Sequence, residues 1–116
     1  MPTEFDQLCV VFLTTKKGAA VKSDVDDTIQ DSHMAYLADL HEKHHLLAAG
    51  PLLDSHFRGM LLFDTDVETA WNLMLTDPGV LAGWFDVTVI PWIVPSGAMH
   101  FASTVFPRSM NEVSDS

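Results

Sequence analysis

The sequence predicts an α+β protein with the ferredoxin-like βαββαβ order of elements and an antiparallel sheet. Apolar and β-branched runs at 6–14, 58–63 and 86–90 predict buried strands. A glycine–proline turn at 50–51 separates a further short strand, 46–49, from the strand that follows it. Two segments with helical periodicity lie between these strands and complete the order of a split βαβ unit. An α+β sandwich of another topology gives the same order and remains the alternative.

The first helix is predicted from Ile29 to His45. Residues 15–27 before it are read as a polar loop whose aspartates lie near the positive end of the helix dipole, where acidic groups are stabilising. Thr28 is the predicted N-cap, because a threonine hydroxyl can accept a hydrogen bond from a free N–H of the first turn. Residues 46–49 can form a last helical turn or a short strand, and the turn that follows at once favours the strand.

The second helix is predicted to follow Thr65 and Glu68, whose spacing is that of a capping box. Its apolar residues recur at intervals of three and four, which indicates a helix packed on one face. Asp77 ends this helix, because the residue before a proline is driven out of the α region. The next strand, 86–90, is predicted to end at Pro91.

The composition is that of one folded domain of 116 residues. Its apolar content is 47% and its charged content is 19%, which is ordinary for a globular protein. The formal net charge of −10 opposes binding to nucleic acid and to anionic membranes, so neither partner is expected. The single cysteine, Cys9, has apolar neighbours and is predicted to be a buried structural thiol. The first residues are acidic rather than basic and no signal-peptide h-region follows them, so we expect no secretory signal and a cytoplasmic location.

Residues 41–45, HEKHH, match the H-E-x-x-H motif, in which two histidines bind zinc and the glutamate acts as a base. At about 100° per residue, His41 and His45 point to the flank of the helix or away from its apolar face. Lys43 and His44 occupy positions where apolar residues are usual, and no second cluster supplies a third ligand. Basic residues also complement the negative end of a helix. We therefore expect no metal site, and a zinc hydrolase is disfavoured.

His33 is a stronger candidate for a catalytic residue than the histidines of the HEKHH motif. It shares the apolar stripe of the first helix with Ile29 and Leu37, and histidine is the side chain that changes charge most readily near neutral pH. A hydrogen-bonded core histidine explains the spacing equally well. Asp77 is the second candidate, because a carboxylate near His33 would hold its tautomer and stabilise the imidazolium formed during proton abstraction. A simple Asx-Pro turn is the commoner explanation of Asp77.

Four segments of the chain carry a family resemblance. They are DSHMAYL at 31–37, LLAAGPL at 46–52, RGMLLF at 58–63 and LTDPGVLAGWFDVTVIPW at 75–92. The features shared with one known family are the helix histidine, the glycine–proline after the second strand and the DP block before the last strand. They occur here in the order and spacing of that family. In this arrangement the chain resembles the YCII-related family of the dimeric α+β barrel superfamily, over about residues 6–92.

The resemblance implies a ferredoxin-like domain, residues 1–92, that dimerises through its sheet to form a barrel-like homodimer. Residues 93–116 then form a C-terminal extension in which 99–106 is a candidate strand and the polar end is predicted to be flexible. Apolar side chains of the extension would promote aggregation if they were exposed on a monomer. The extension is therefore expected to add a strand or to embrace the partner subunit.

The resemblance also implies a site. The family's proposed site is a His–Asp dyad in a pocket beside the sheet, and its two members fall on His33 and Asp77. The implied chemistry is lyase-like or isomerase-like, including dehydrochlorination of a chlorinated hydroxyquinone, and it requires proton abstraction without a metal or cofactor. The expected ligand is a small, cyclic or aromatic organic molecule. Candidate substrate-binding side chains, of which the apolar ones are more often simple core residues, are Arg58, Met60, Trp71, Trp84 and Phe85.

One departure from the family bears on the substrate. Members commonly carry an arginine shortly before the helix histidine, where this chain has residues 28–31, TIQD. Arg58, Lys22 and His56 are candidate replacements that could bind an anionic substrate. The rival hypothesis is a non-catalytic homodimeric module that binds a small molecule, in which His33 is only a hydrogen-bonded core residue.

Overall fold

The computed structural model describes residues 3–16 and 24–113 of the chain. Its elements follow the predicted order, with one additional short helix before the last strand. They are β1 (Phe5–Thr15), α1 (Asp24–Glu42), β2 (Leu46–Pro51), β3 (Phe57–Phe63), α2 (Val67–Leu75), α3 (Pro78–Leu81), β4 (Phe85–Pro95) and a 3₁₀ turn (Met110–Glu112). The predicted ferredoxin-like order of strands and helices is confirmed.

The strands of the described chain form one antiparallel sheet in the order β2-β3-β1-β4. β1 pairs with β4 along its whole length, from Phe5 opposite Pro95 to Thr15 opposite Phe85. α1 connects β1 to β2, and the α2–α3 region connects β3 to β4, so each connection passes over one intervening strand. This is the split βαβ topology, and it excludes the alternative sandwich.

The main core lies between the sheet and the helices. Alternate residues of a strand point to opposite faces, and Cys9, Val11 and Leu13 of β1 face the helices with at most 3% exposure. Leu61 and Phe63 of β3 join them, together with buried side chains of α1 and α2. Full burial of a leucine or phenylalanine contributes about 1.5–3 kcal/mol. This layer therefore holds the helices against the sheet.

The other face of the sheet is apolar and only partly covered. At one end of this face, Met99 packs on a buried cluster formed by Leu8, Val10, Leu62 and Val94. Towards the middle, side chains surround a depression of about 240 Å³. We call its lining the open sheet face, which comprises Val10, Phe12, Met60, Ile90, Pro91 and Trp92. Met60, Ile90 and Trp92 retain 36%, 46% and 41% of their exposure, so a sizeable apolar surface is uncovered in the single chain.

α1 lies closer to the N-terminus than predicted. It begins at Asp24, so Thr28 lies inside the helix and is not its N-cap. Acidic residues are favourable in a first helical turn, and residues 24–27, predicted as the end of a loop, belong to the helix. At the other end, His44 adopts φ 65°, and the N–H groups of His44 and His45 bond back to carbonyls of the last helical turn at 3.0 Å. This Schellman arrangement ends α1 before His45.

The ends of α2 and α3 also differ from the prediction. Asp66, rather than Thr65, is the N-cap of α2, because its carboxylate accepts a hydrogen bond from the Thr69 N–H at 2.8 Å. Asp77 follows the end of α2 as predicted, but it also begins α3, which was not predicted. Pro78 occupies the first position of α3, where a missing N–H leaves no helical hydrogen bond unmade.

β4 continues through Pro91 to Pro95, so the predicted end of this strand at Pro91 is wrong. β4 is an edge strand of the sheet, and a proline is tolerated there because its missing N–H can lie on the side away from the neighbouring strand. The boundary predicted at residue 92 consequently falls inside β4.

The C-terminal extension forms no strand at 99–106, contrary to the prediction. Met99 packs on the cluster beside the open sheet face, whereas Phe106 stacks on His41 of α1. The extension thus passes from one side of the sheet to the other between these two residues. Within residues 3–16 and 24–113, no helix has the length and apolar character needed to cross a membrane.

Candidate active site

His33 and Asp77, which are 44 residues apart in the chain, meet between α1 and α3. His33 Nδ1 lies 2.7 Å from Asp77 Oδ1. Asp77 is fully buried, and the His33 side chain keeps 11% of its exposure. His33 Nε2 has no hydrogen-bond partner within the described part of the chain. One ring nitrogen is thus held by a buried carboxylate, and the other is not hydrogen-bonded to residues 3–16 or 24–113.

Asp77 is positioned by the start of α3. Its Oδ2 accepts a hydrogen bond from the Val80 N–H at 3.1 Å, and its own N–H donates to the Met74 carbonyl at 3.1 Å. The backbone of Asp77 is extended, with φ −64° and ψ 133°, as expected for a residue that precedes a proline. Both carboxylate oxygens are therefore engaged, and their direction is set by the turn between α2 and α3.

Gly79 makes room for the carboxylate. A Cβ at this position would lie 3.1 Å from Cε2 of Phe85 and 3.2 Å from Oδ2 of Asp77. Both distances are shorter than the optimum of about 3.5–4.0 Å for non-bonded carbon contacts. A side chain at this position would therefore press on Phe85 and on the Asp77 carboxylate, which would have to shift by a few tenths of an ångström.

Two aromatic side chains, Phe85 and Trp84, lie beside His33. The ring centroid of Phe85 lies 6.0 Å from that of His33, with an angle of 48° between the rings. Trp84 packs edge-on against Phe85 with the centroids 6.0 Å apart. Phe85 begins β4 opposite Thr15, the last residue of β1, so the pair lies near this end of the sheet. Phe85 and Trp84 thus form an aromatic pair beside His33.

Tyr36 joins α1 to the end of α2, one turn after His33. Its hydroxyl oxygen lies 2.6 Å from the Leu73 carbonyl oxygen and 2.6 Å from Oγ1 of Thr76, the residue before Asp77. Tyr36 is not among the residues predicted for the site. The available signal was its spacing, because residues three apart on a helix lie on neighbouring parts of one face.

The predicted substrate-binding residues are not gathered around His33. Trp84 lies nearby, behind Phe85. Trp71 lies on α2 with 37% exposure. Met60 belongs to the open sheet face, on the other side of the sheet from His33. The reason is the alternation along β3, whose direction relative to the helices is decided only by strand pairing.

The candidate replacements for the family arginine also lie away from His33 and Asp77. Arg58 is exposed at the start of β3, where its guanidinium donates to the Asp54 carbonyl at 3.4 Å. His56 is exposed in the preceding loop and packs edge-on against Phe57. Lys22 lies outside the described residues.

His41, the first histidine of HEKHH, contacts the C-terminal extension. Its Nδ1 lies 2.7 Å from the Leu46 carbonyl oxygen, and its Nε2 lies 3.3 Å from the Thr104 carbonyl oxygen. The ring stacks on Phe106 with a centroid distance of 4.0 Å. His45 lies beyond the end of α1, so the two histidines of the motif do not share a helix. Among the described residues, no group of three or more His, Cys, Asp or Glu side chains is arranged to hold a metal ion.

Cys9 is buried as predicted. Its side chain is fully covered, and Sγ donates to the Thr65 carbonyl at 3.2 Å. Burial raises the pKa of the Cys9 thiol, and the negative charge of Asp66 raises it further. Because the thiolate is the reactive form, Cys9 is a poor nucleophile near neutral pH.

Comparison with solved structures shows a shared fold. The chain is similar to 5-chloro-2-hydroxyhydroquinone dehydrochlorinase (TftG) from Burkholderia phenoliruptrix AC1100, solved in complex with 2,5-dihydroxybenzoquinone. The two are 22% identical with a TM-score of 0.56, over 73% of this chain and 92% of that chain. No curated protein matches the sequence. The model of the YCII-related domain matches residues 8–93. The chain therefore belongs to the YCII-related family.

Proposed function

We propose that this protein is a small cofactor-independent enzyme, lyase-like or isomerase-like, in which His33 and Asp77 transfer a proton on a small cyclic or aromatic molecule. One observation carries the proposal: a histidine nitrogen 2.7 Å from the oxygen of a fully buried aspartate. A histidine held in this way is a common device for proton transfer.

The carboxylate determines which nitrogen acts. An ionised carboxylate can only accept hydrogen bonds, so Nδ1 of His33 carries a hydrogen and donates its hydrogen bond to Asp77. The lone pair is then on Nε2, which becomes the general base. When Nε2 takes a proton, the ring becomes positively charged, and the negative charge of Asp77 stabilises it.

We take the substrate of the structural relative, 5-chloro-2-hydroxyhydroquinone, as the first molecule to test. Its dehydrochlorination removes one proton and one chloride ion. In the proposed step, the substrate first tautomerises, so that one hydroxyl proton moves to the chlorine-bearing ring carbon and a carbonyl forms. Nε2 of His33 then takes the proton of a second hydroxyl, whose O–H electron pair forms another carbonyl while the neighbouring ring double bond shifts to the chlorine-bearing carbon and expels chloride. The protonated histidine then returns its proton to water. Phe85 and Trp84 would provide an apolar surface for the ring.

The test measures chloride released from this substrate by the parent protein and by variants. His33→Asn is expected to lower the rate by at least about 100-fold, because general base catalysis contributes about 10²–10⁴-fold. His44→Asn is the matched control, because His44 is exposed and has φ 65°, a conformation that asparagine tolerates. This control is expected to keep the parent rate. A folded His33→Asn variant that releases chloride at the parent rate would contradict the proposal.

We further propose that the enzyme is a homodimer that pairs two open sheet faces. An uncovered apolar face is a typical protein–protein contact surface, and symmetric pairing would cover it on both copies at once. Sedimentation should give twice the chain mass for the parent. Trp92→Glu should be monomeric, because Trp92 belongs to the open sheet face. Trp71→Glu is the matched control, since Trp71 is similarly exposed but lies on α2. A monomeric parent would rule out this dimer.

A second candidate function is a non-catalytic homodimeric module that binds a small molecule. The observation that favours it is the apolar depression of the open sheet face, which lies across the sheet from His33. Titration with 2,5-dihydroxybenzoquinone separates the two candidates. For the binding module, Trp92→Ala weakens binding and His33→Asn leaves it unchanged. For the enzyme, His33→Asn abolishes turnover and alters binding of this ligand.

A further inference from the structure

Tyr36 contacts the segment that carries Asp77. It lies one turn beyond His33 on α1, so the two side chains leave the helix on neighbouring parts of one face. The Tyr36 hydroxyl donates to the Leu73 carbonyl, at 2.6 Å. Leu73 lies in the last turn of α2, where its carbonyl also accepts from the N–H of the C-cap residue Thr76 at 3.4 Å. The Tyr36 hydroxyl therefore fastens α1 to the turn between α2 and α3.

Thr76 links Tyr36 to the residue that holds the histidine. Its Oγ1 lies 2.6 Å from the Tyr36 hydroxyl and 3.0 Å from the Leu73 carbonyl oxygen. The next residue is Asp77, whose Oδ1 lies 2.7 Å from His33 Nδ1. Consecutive turns of α1 thus hold this segment at two points. Two points of attachment leave the segment less freedom to turn, which restrains the direction of the carboxylate.

We propose that Tyr36 is a positioning residue for proton transfer, which acts through Thr76 to keep the carboxylate of Asp77 on His33 Nδ1. The catalytic consequence of this inference rests on the proposed function, whereas its geometric content does not. Asp77 holds the tautomer that leaves the lone pair on Nε2. When the Tyr36 hydroxyl is removed, the turn relaxes, the Nδ1–H bond to Asp77 weakens, and less of the base-competent tautomer remains.

A purely structural role for Tyr36 predicts a different result. The Tyr36 ring packs against the main core, and Tyr36→Phe keeps that ring while it removes the hydroxyl. If the hydroxyl served stability alone, Tyr36→Phe would behave like Asp66→Ala. The latter weakens the opposite end of α2 by removing its N-cap. Comparison of these two variants separates positioning from general stabilisation.

The test is nitrogen-15 and proton NMR of the His33 ring in the full-length protein, with the signals assigned by their loss in His33→Asn. The parent should show a protected Nδ1–H. In Tyr36→Phe and in Thr76→Val, this proton should exchange with water at least about tenfold faster. Thr76→Ser retains the hydroxyl and should restore the parent rate. Asp66→Ala should also keep the parent rate.

An unchanged tautomer and exchange rate in Tyr36→Phe would overturn the inference, and Thr76→Val serves the same purpose if that variant does not fold. Equal acceleration in Asp66→Ala would also overturn it, because the signal would then report general loosening. Faster exchange in Tyr36→Phe supports the inference even if the parent proves inactive, in which case only the proposed function fails. In an active parent, Tyr36→Phe should lower kcat about tenfold with KM unchanged. Turnover that depends on His33 but not on Tyr36 would overturn the inference alone.

Discussion

Asp77 binds His33 through one carboxylate oxygen and the first turn of α3 through the other. Oδ1 lies 2.7 Å from His33 Nδ1, and Oδ2 accepts from the Val80 N–H at 3.1 Å. A buried carboxylate is costly unless its oxygens are hydrogen-bonded. The same two bonds that make Asp77 tolerable in the interior therefore orient the histidine, which links local stability to the proposed chemistry.

Asp77→Ala should lower the free energy of unfolding by about 2–5 kcal/mol. It removes a helix N-cap, which contributes about 0.5–2 kcal/mol, and a hydrogen bond to a charged group, which contributes about 1.5–3 kcal/mol. Asp77→Asn should cost less, because its amide oxygen can accept from Val80 while its amide N–H faces His33. Urea unfolding of the three proteins checks this order. Equal losses for Ala and Asn would contradict this order, because the amide would then replace neither contact.

Gly79→Ala should lower the free energy of unfolding by about 1 kcal/mol, since overpacking typically costs about 1–3 kcal/mol and a helical alanine recovers part of this. The added Cβ would press on the Phe85 ring and on Oδ2 of Asp77. Gly50→Ala is the matched control, because a Cβ there meets nothing within 4 Å. Thermal unfolding of both variants tests the difference. A stabilised Gly79→Ala protein would mean that the ring moves aside freely.

Phe106→Ala should release the C-terminal extension from α1. Phe106 stacks on His41 at 4.0 Å, and an aromatic pair contributes about 0.5–1.5 kcal/mol beyond the area it buries. Hydrogen exchange should therefore rise in residues 104–112 and remain unchanged in the sheet. Phe101→Ala is the control, because Phe101 is on the same extension and is exposed. Equal exchange in the two variants would contradict an anchoring role for the stack.

Asp66→Ala should destabilise the protein near neutral pH and have a smaller effect in acid. Hydrogen bonds from the Thr69 side chain and N–H hold the pKa of Asp66 below its ordinary value of 3.8. The stability contributed by a lowered carboxyl pKa is fully present above the ordinary value and is lost as the pH falls through the lowered one. Melting temperatures at about pH 7 and about pH 2 test this. Asp64→Ala, an exposed neighbour, should show no such trend. If the melting temperatures of the parent and Asp66→Ala differ as much at the lower pH as at neutral pH, the proposed origin of the effect is wrong.

Cys9 should resist alkylation in the folded protein. Its burial raises the pKa of the thiol above the ordinary value of 9.0, so the thiolate is scarce at neutral pH and reagents cannot reach it. Iodoacetamide labelling, followed by mass, should be complete in urea and minimal without it. Labelling that is equally fast in both conditions would show that β1 opens readily.

Local patterns account for most of the elements and for some of the errors. Strand and helix periodicities correctly predicted the order of elements. The bounds of α1 were displaced because acidic residues extend a helix at its start and because His44 ends it by adopting φ 65°. Pro91 was read as a strand end, yet β4 continues because it lies at a sheet edge. The strand predicted at 99–106 failed because apolar composition does not reveal the path that the extension takes.

The sequence identified His33 and Asp77 as candidate catalytic residues. It also allowed a purely structural explanation of each, a core histidine and an Asx-Pro turn. The sequence alone determined the kinds of elements, their order and these two candidates, because periodicity, breakers and caps act over a few residues. The tertiary structure decided that the two side chains meet, that Tyr36 braces the turn between α2 and α3, and that Met60 lies across the sheet. These relationships depend on strand pairing and on connections that pass over the sheet. Such contacts join residues distant in the chain, and local preferences do not encode them.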